Sequence, residues 1–252
     1  MRETDSAGRV VAVLDLLARA PEGLRVTDIA RDLGVHKTSA SRLLGTLAIT
    51  GLIERDAASR RYSLGARLVS LAGAALARLP VVSQARPELE HLAKASSETA
   101  NLAILDGRHV VYVDQVVPSH AVVMASWVGR RSPAHASSSG KVLLAFGEES
   151  IREAVLSGPL EQLTRHTITD ANRLRALLLE TRRRGYASGV GELEEGLVTV
   201  AAPVIVQRRA VGAVSLSGPS FRIPPRDQPR LGRLLMTAAA AIGHRMSGRS
   251  TG

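Results

Sequence analysis

The chain contains no cysteine. That excludes disulfides, thiolate nucleophiles and cysteine-based metal sites, and it suits a reducing, cytoplasmic setting. Aromatic residues make up only 2% of the chain. Its cores must therefore be built from Leu, Val and Ala, and a base-stacking surface for single-stranded nucleic acid is not expected. No apolar run reaches the ~20 residues that a membrane span needs, so no membrane partner is expected. Met1 to Gly8 lack the apolar stretch of a signal peptide. Lysine is scarce as well: of 33 basic residues, 30 are Arg and 3 are Lys.

Aliphatic carbon and positive charge are what the chain has in quantity. Hydrophobic residues amount to 45%, and 252 residues suffice for one large or two modest domains. The formal net charge of +10 points to an anionic partner. The excess is not gathered at one end: residues 1–80 carry 12 basic and 8 acidic side chains, the rest 21 and 15. Composition alone thus supports nucleic-acid binding only weakly.

Pattern says more. Val10, Val11, Val13, Leu14, Leu16 and Leu17 recur at helical spacing, which predicts a first helix over Arg9–Ala20, stopped by Pro21-Glu22-Gly23. Thr27 suits the N-cap of a second helix ending at Leu33, and Gly34 suits a turn with positive φ. A third helix is expected over Lys37–Thr50, burying Leu43, Leu44 and Leu47. Leu52–Arg55 and Arg61–Leu64 alternate as short strands around Asp56-Ala57-Ala58-Ser59.

Two short helices, a Gly turn and a two-stranded wing make a winged helix-turn-helix, whose second helix enters the major groove of double-stranded DNA. The residues placed to meet bases or phosphates are Thr27, then His36, Lys37, Thr38, Ser39, Ser41 and Arg42, with Arg60 and Arg61 on the wing. A hydroxyl of Thr38 or Ser39 is also expected to cap the recognition helix. One such helix reads few base pairs, so a homodimer on a near-palindromic operator is expected.

Leu68, Leu71, Ala72, Ala75, Leu76 and Leu79 form an apolar stripe over Leu64–Leu79, expected to be a linker helix or dimer seam ended by Pro80. Next come a helix over Gln84–Glu98 and two strands, Asn101–Leu105 and His109–Val116, turning at Asp106-Gly107. A third strand is expected at Ala121–Val128, after which Gly129–Pro133 reads as a loop. Helices follow at Ser139–Phe146, Glu149–Ser157 and Asp170–Arg184, then strands near Tyr186–Glu192, Leu197–Val206 and Val211–Ser217. Pro224-Pro225 opens a last helix to Met246. The fold class is α+β, with a mainly antiparallel sheet in the second domain. The expected organisation is a DNA-binding domain over residues 1–65, a linker helix over 66–80, a second domain over 81–248 and a disordered tail at 249–252.

The order of these pieces resembles the IclR family of bacterial transcriptional regulators across nearly the whole chain. The likeness is carried by Val13-Leu14-Asp15-Leu16-Leu17, Lys37-Thr38-Ser39-Ala40-Ser41-Arg42-Leu43-Leu44 and Arg61-Tyr62-Ser63-Leu64-Gly65. Further on it is carried by Val111–Gln115, His135–Ala145, Gly185-Tyr186-Ala187, Ala201–Val204 and Ser215–Pro219. The resemblance implies a GAF-like second domain that senses a small molecule, and dimers or tetramers. It implies that a small carboxylate effector is held by backbone amides at Ser138 and Ser139 and by hydroxyls of Ser215 and Ser217. Met124, Leu197 and Thr199 match pocket-lining positions. Gly189 stands where the family often has Asp, which removes a hydrogen-bonding wall and leaves more room. A bulkier or aromatic acid then fits as well as a small keto acid such as glyoxylate or pyruvate. The resemblance favours a repressor; an activator of the same architecture and a ligand-free architectural DNA binder are the alternatives.

Other motifs fail. Gly140-Lys141 lacks the Gly five residues earlier that a phosphate-binding loop needs, and Val142 follows it. The Gly189-Val190-Gly191 run ends in Glu194 and so does not complete a dinucleotide fingerprint, and no serine sits in Gly-x-Ser-x-Gly. The seven histidines lack ligand spacing, so neither metal nor other cofactor is expected. Glu192, Glu194 and Glu195 read as a solvated loop, and Arg182-Arg183-Arg184 as cations suited to a helix C-terminus. Enzymatic activity is not expected.

Overall fold

The computed structural model describes residues 6–118 and 126–248. The chain divides into two compact units between Arg78 and Leu79. In the first, α1 (Ser6–Ala18), α2 (Val26–Asp32) and α3 (Lys37–Ile49) precede β1 (Ile53–Arg55), β2 (Tyr62–Leu64) and α4 (Arg67–Ala77). Val13 and Leu17, one turn apart on α1, meet Ile29, Leu44, Leu47, Ile53 and Tyr62 in a single buried cluster. Gly34 and Gly51 take φ of +63° and +73° in the turns after α2 and α3. Leu24 and Tyr62 exchange both backbone hydrogen bonds, at 2.9 and 2.7 Å, which adds a bridge to the wing. Asp56 closes the wing turn by accepting from the Ser59 hydroxyl and N–H, each at 2.6 Å. Those bonds, the hydroxyl's foremost, hold the Asp56 carboxyl below the usual carboxylate range. No residue of α4 is buried, and its Val69 is 75% exposed.

The second unit opens with α5 (Pro80–Ser96). Pro80 begins this helix rather than merely ending the one before, because its missing N–H costs nothing in a first turn. Six antiparallel strands follow in the order β5-β4-β3-β8-β7-β6. They are β3 (Thr99–Asp106), β4 (His109–Val116), β5 (Arg131–Pro133), β6 (Ala187–Val190), β7 (Leu197–Val206) and β8 (Arg209–Pro219). One face packs on α5 and on α9 (Gln228–Ser247); the other lies under α6 (Ser138–Phe146), backed by α7 (Glu149–Leu156) and α8 (Ala171–Arg184).

Alternation along the strands divides the labour between the faces. Leu102, Val198, Val200, Val204, Val214 and Leu216 are branched, fully buried residues of one face. Beneath α6 the side chains are small: register places Gly189, Thr199, Ser217 and Thr99 in one row, and Ala187, Ala201, Ser215 and Asn101 in the next. Small residues on that face let α6 pack close to the sheet.

Several local expectations are corrected. Thr27 lies inside the first turn of α2; Arg25 is the cap residue, and its N–H donates to Asp28 Oδ2 at 3.3 Å. His36, not Thr38 or Ser39, caps α3, its Nδ1 accepting from Thr38 N–H at 3.3 Å. An imidazole nitrogen here does the work that pattern assigned to a hydroxyl. Ser137 caps α6 by accepting from Gly140 N–H at 3.0 Å, which frees Ser138 from that role. Arg131–Pro133, read as loop, pairs with β4 as β5. The expected strand Ala121–Val128, Met124 within it, and the expected tail at 249–252 fall largely or wholly outside the described residues.

Gly140 sets the height of α6 over the chain before it, since a Cβ there would collide with the Ala134 backbone. Gly140→Ala is expected to destabilise the second unit by about 1–3 kcal/mol through forced displacement, measured by urea unfolding of the full chain.

Candidate DNA interface and ligand pocket

On α3 the sequence splits cleanly by face. Ala40 and Leu44 are fully buried, whereas His36, Lys37, Thr38, Ser39, Ser41 and Arg42 are exposed. Thr27 on α2 is exposed too. Among the described residues, Lys37, Arg42 and Arg60 make no ion pair, so their charge is free for an anion. Arg60, exposed at the wing with φ +59°, follows the tight Asp56–Ser59 turn. Arg61 differs from its expected role: its Nη1 donates to the Gly23 carbonyl at 2.8 Å, which ties the wing to the α1–α2 turn. Arg55 was not singled out by pattern; its guanidinium lies 5.6 Å from the centre of the Tyr62 ring, on the wing.

The second candidate site lies between α6 and the small-residue face of the sheet. Eight of its nine residues are buried, including the polar Ser138, Ser139 and Lys141. Ser137 takes the Gly140 N–H through its hydroxyl and the Lys141 N–H through its carbonyl. That leaves the N–H groups of Ser138 and Ser139 without a protein acceptor among the described residues, at the positive end of the helix dipole. Across from them, Ser217 Oγ accepts from Asn101 Nδ2 at 3.1 Å, and Ser215 and Thr199 lie on the same face. Ser215, Ser217, Thr199 and Asn101 are all buried. Leu197 is buried on that face as well, in the cluster that α6 covers.

The surroundings supply further groups. Tyr112 is buried, and burial pushes its phenol up to about 12, against the pull of the nearby Ser139 and Ser137 hydroxyls. It meets Trp127 edge to face at 5.2 Å, and the Arg130 guanidinium covers Trp127 at 4.1 Å. Four buried side-chain polar atoms have no hydrogen-bond partner among the described residues of this region: Asn101 Oδ1, Gln115 Nε2, Ser139 Oγ and Glu192 Oε2. Unsatisfied buried groups are costly, and these four lie in the same region as the two open helix amides.

Glu192 overturns a sequence expectation. It is buried, not solvated, and its Oε1 accepts from the fully buried Lys141 Nζ at 2.5 Å. Burial depresses Lys141 below the ordinary lysine value, with Glu192 opposing. Neither residue carries a motif that announces the pairing, because they stand 51 positions apart. Asn101, Tyr112 and Trp127 were likewise missed: strand register places Asn101 and Tyr112, and Trp127 follows through its ring contact with Tyr112 and its N–H donated to Gln115 Oε1. No cluster able to hold a metal occurs among the described residues.

A winged helix-turn-helix unit followed by an α+β unit with a cluster of buried polar residues beneath α6 defines a two-part DNA-binding regulator. Comparison with known proteins makes this specific. The IclR helix-turn-helix domain matches residues 6–57, and the bacterial transcriptional regulator IclR C-terminal domain matches residues 73–244. The glycerol operon regulatory protein of Streptomyces griseus is 37% identical over 90% of this chain and 90% of its own. The HTH-type transcriptional regulator XynR of Escherichia coli is 32% identical over 94% and 95%. The crystal structure of an IclR homolog complexed with 4-hydroxybenzoate, from Microbacterium hydrocarbonoxydans, superposes with a TM-score of 0.81. That protein is 29% identical, and the match covers 98% of this chain and 100% of the other. The chain belongs to the IclR family of transcriptional regulators, and not to an enzyme family.

Breaking the Lys141–Glu192 pair from one side is expected to be severe. Lys141→Met leaves a buried carboxylate unpaired and should cost about 3–5 kcal/mol in urea unfolding. Adding Glu192→Leu should recover most of that loss, since the stranded charge is then gone.

Proposed function

We propose that this regulator binds a near-palindromic operator as a homodimer, represses transcription by occupying it, and responds to a small organic acid. The observation that carries the sensing half is the pair of unclaimed N–H donors at Ser138 and Ser139, buried above Thr199, Ser215 and Ser217. A carboxylate satisfies such donors and gains from the helix dipole. Gly189 adds no side chain to this crowded floor, where even a Cβ would stand 3.2 Å from Thr199 Oγ1. The 4-hydroxybenzoate held by the Microbacterium homolog is a small organic acid.

The DNA half rests on Lys37, Thr38, Ser39, Ser41 and Arg42 at the exposed start of α3, with Arg60 at the wing and Thr27 on α2. His36 serves the helix as its cap, and Arg61 serves the wing. Residues 1–65 would read DNA, 66–80 would link and 81–248 would sense. The exposed apolar residues of α4, Val69 and Leu71, would form a seam between two copies. Further pairing of dimers would give tetramers.

Gel shifts with the gene's own promoter region test the DNA reading. Arg42→Ala should weaken binding at least tenfold, and each lost phosphate contact should lower the salt slope by about one. Unchanged affinity and slope in Arg42→Ala and Lys37→Ala together would refute the assignment of α3. A reporter fused to the same promoter gives the sign of regulation, where lower expression in the absence of the protein would instead identify an activator.

The seam has its own test. Val69→Glu combined with Leu71→Glu should shift the protein toward monomer in sedimentation velocity and weaken operator binding with it. A dimer as tight as the parent's would place the seam elsewhere.

A further inference from the structure

The recognition helix carries one residue for which the protein itself has no use. Gly45 lies in the interior of α3, where glycine weakens a helix more than any residue except proline. Its φ is not positive, so conformation does not call for glycine. Packing does not call for it either: a Cβ built there meets no atom within 4 Å. Glycines of other helices do have such a reason. Gly140 lies against the Ala134 backbone, Gly232 against the Tyr186 ring and Gly243 against the Ile205 carbonyl.

The direction in which Gly45 faces supplies the missing reason. At about 100° per residue, Thr38, Ser41, Arg42, Gly45 and Ile49 fall within about 100° of the helix circumference, with Gly45 near the middle. Ala40, Leu44 and Leu47 are buried on the opposite side. Thr38, Ser41, Arg42 and Ile49 are all exposed, Ile49 to 90%. Gly73 on α4 also has nothing near its absent Cβ, and it shares that helix with the exposed Val69 and Leu71. Both glycines thus sit on helices that another molecule is expected to cover.

The major groove is about 12 Å wide, and a helix with its side chains is about 10–12 Å across. The fit leaves little room, so the residue at the middle of the outward face fixes how deep the helix settles. We propose that Gly45 is the point where α3 comes closest to the floor of the major groove, its bare backbone lying against base edges. This depth brings the flanking Thr38, Ser41 and Arg42 within reach of the bases. The inference rests on the DNA reading of α3 above and adds to it a specificity-determining position that has no side chain. Phosphates line the walls of the groove and are met at any depth, whereas base edges are not.

Gel shifts of the full-length protein on its own promoter fragment, and on a random-sequence fragment of equal length, test this. Gly45→Ala is expected to weaken promoter binding at least tenfold while changing random-sequence binding less than twofold. Gly45→Leu, which also replaces glycine by a good helix former, should weaken promoter binding further. Urea unfolding should run the other way, each variant matching or exceeding the parent's midpoint. A purely structural glycine would give the reverse, so a fall in the Gly45→Ala midpoint overturns the proposal. Promoter binding by Gly45→Ala within twofold of the parent, or an equal loss on both fragments, overturns it as well. Arg42→Ala in the same series separates this inference from the one beneath it. If Arg42→Ala weakens promoter binding and Gly45→Ala does not, only the close approach falls; if neither does, the assignment of α3 falls with it.

Discussion

A helix that begins inside a protein must account for its first N–H groups, and α6 begins in the interior of the second unit. Everything around that start follows from this constraint. Ser137 settles the third N–H through its hydroxyl and the next through its carbonyl, and the first two remain open. Gly140 allows the helix to sit against the Ala134 backbone, where any side chain would push it away. The sheet beneath answers with glycine, alanine, serine and threonine, while the opposite face carries the large aliphatic residues that bind it to α5 and α9.

The Lys141–Glu192 pair belongs to the same arrangement. Both groups are buried, and an ion pair of this kind adds little stability over a hydrophobic isostere, because desolvation cancels most of the attraction. Its effect here is positional. It fastens the second turn of α6 to the connection between β6 and β7, beside Gly189, and so holds a carboxylate oxygen at the edge of the pocket.

The fold was largely legible in the chain because its signals are local. Helical spacing in α1 and α3, glycine turns at Gly34 and Gly51, and the Asp170 cap of α8 each depend on a few adjacent residues. What escaped depends on distance. His36 caps α3 through a ring nitrogen, which propensity ranks below the hydroxyls of Thr38 and Ser39. Arg61 looked like a DNA ligand until Gly23, 38 residues away, supplied a carbonyl for it. Glu192 looked solvated beside Glu194 and Glu195; only the course of the β6–β7 connection against α6 turns it inward toward Lys141. Ser215 and Ser217 entered through family resemblance, but Asn101, which donates to Ser217, needed the β3–β8 register.

Regulation requires that ligand energy reach the DNA-binding state, and the energies involved are modest. The recognition helix is capped by its own His36 and packed through Leu44 and Leu47, so it is ordered without DNA. In the proposed homodimer an effector would have no helix to fold; it would act by favouring one arrangement of two preformed helices over another. A tenfold change in operator affinity needs about 1.4 kcal/mol of differential binding between those arrangements. One hydrogen bond to a buried charged group is worth about 1.5–3 kcal/mol. A single such contact made in one state and lost in the other is enough to change operator affinity about tenfold.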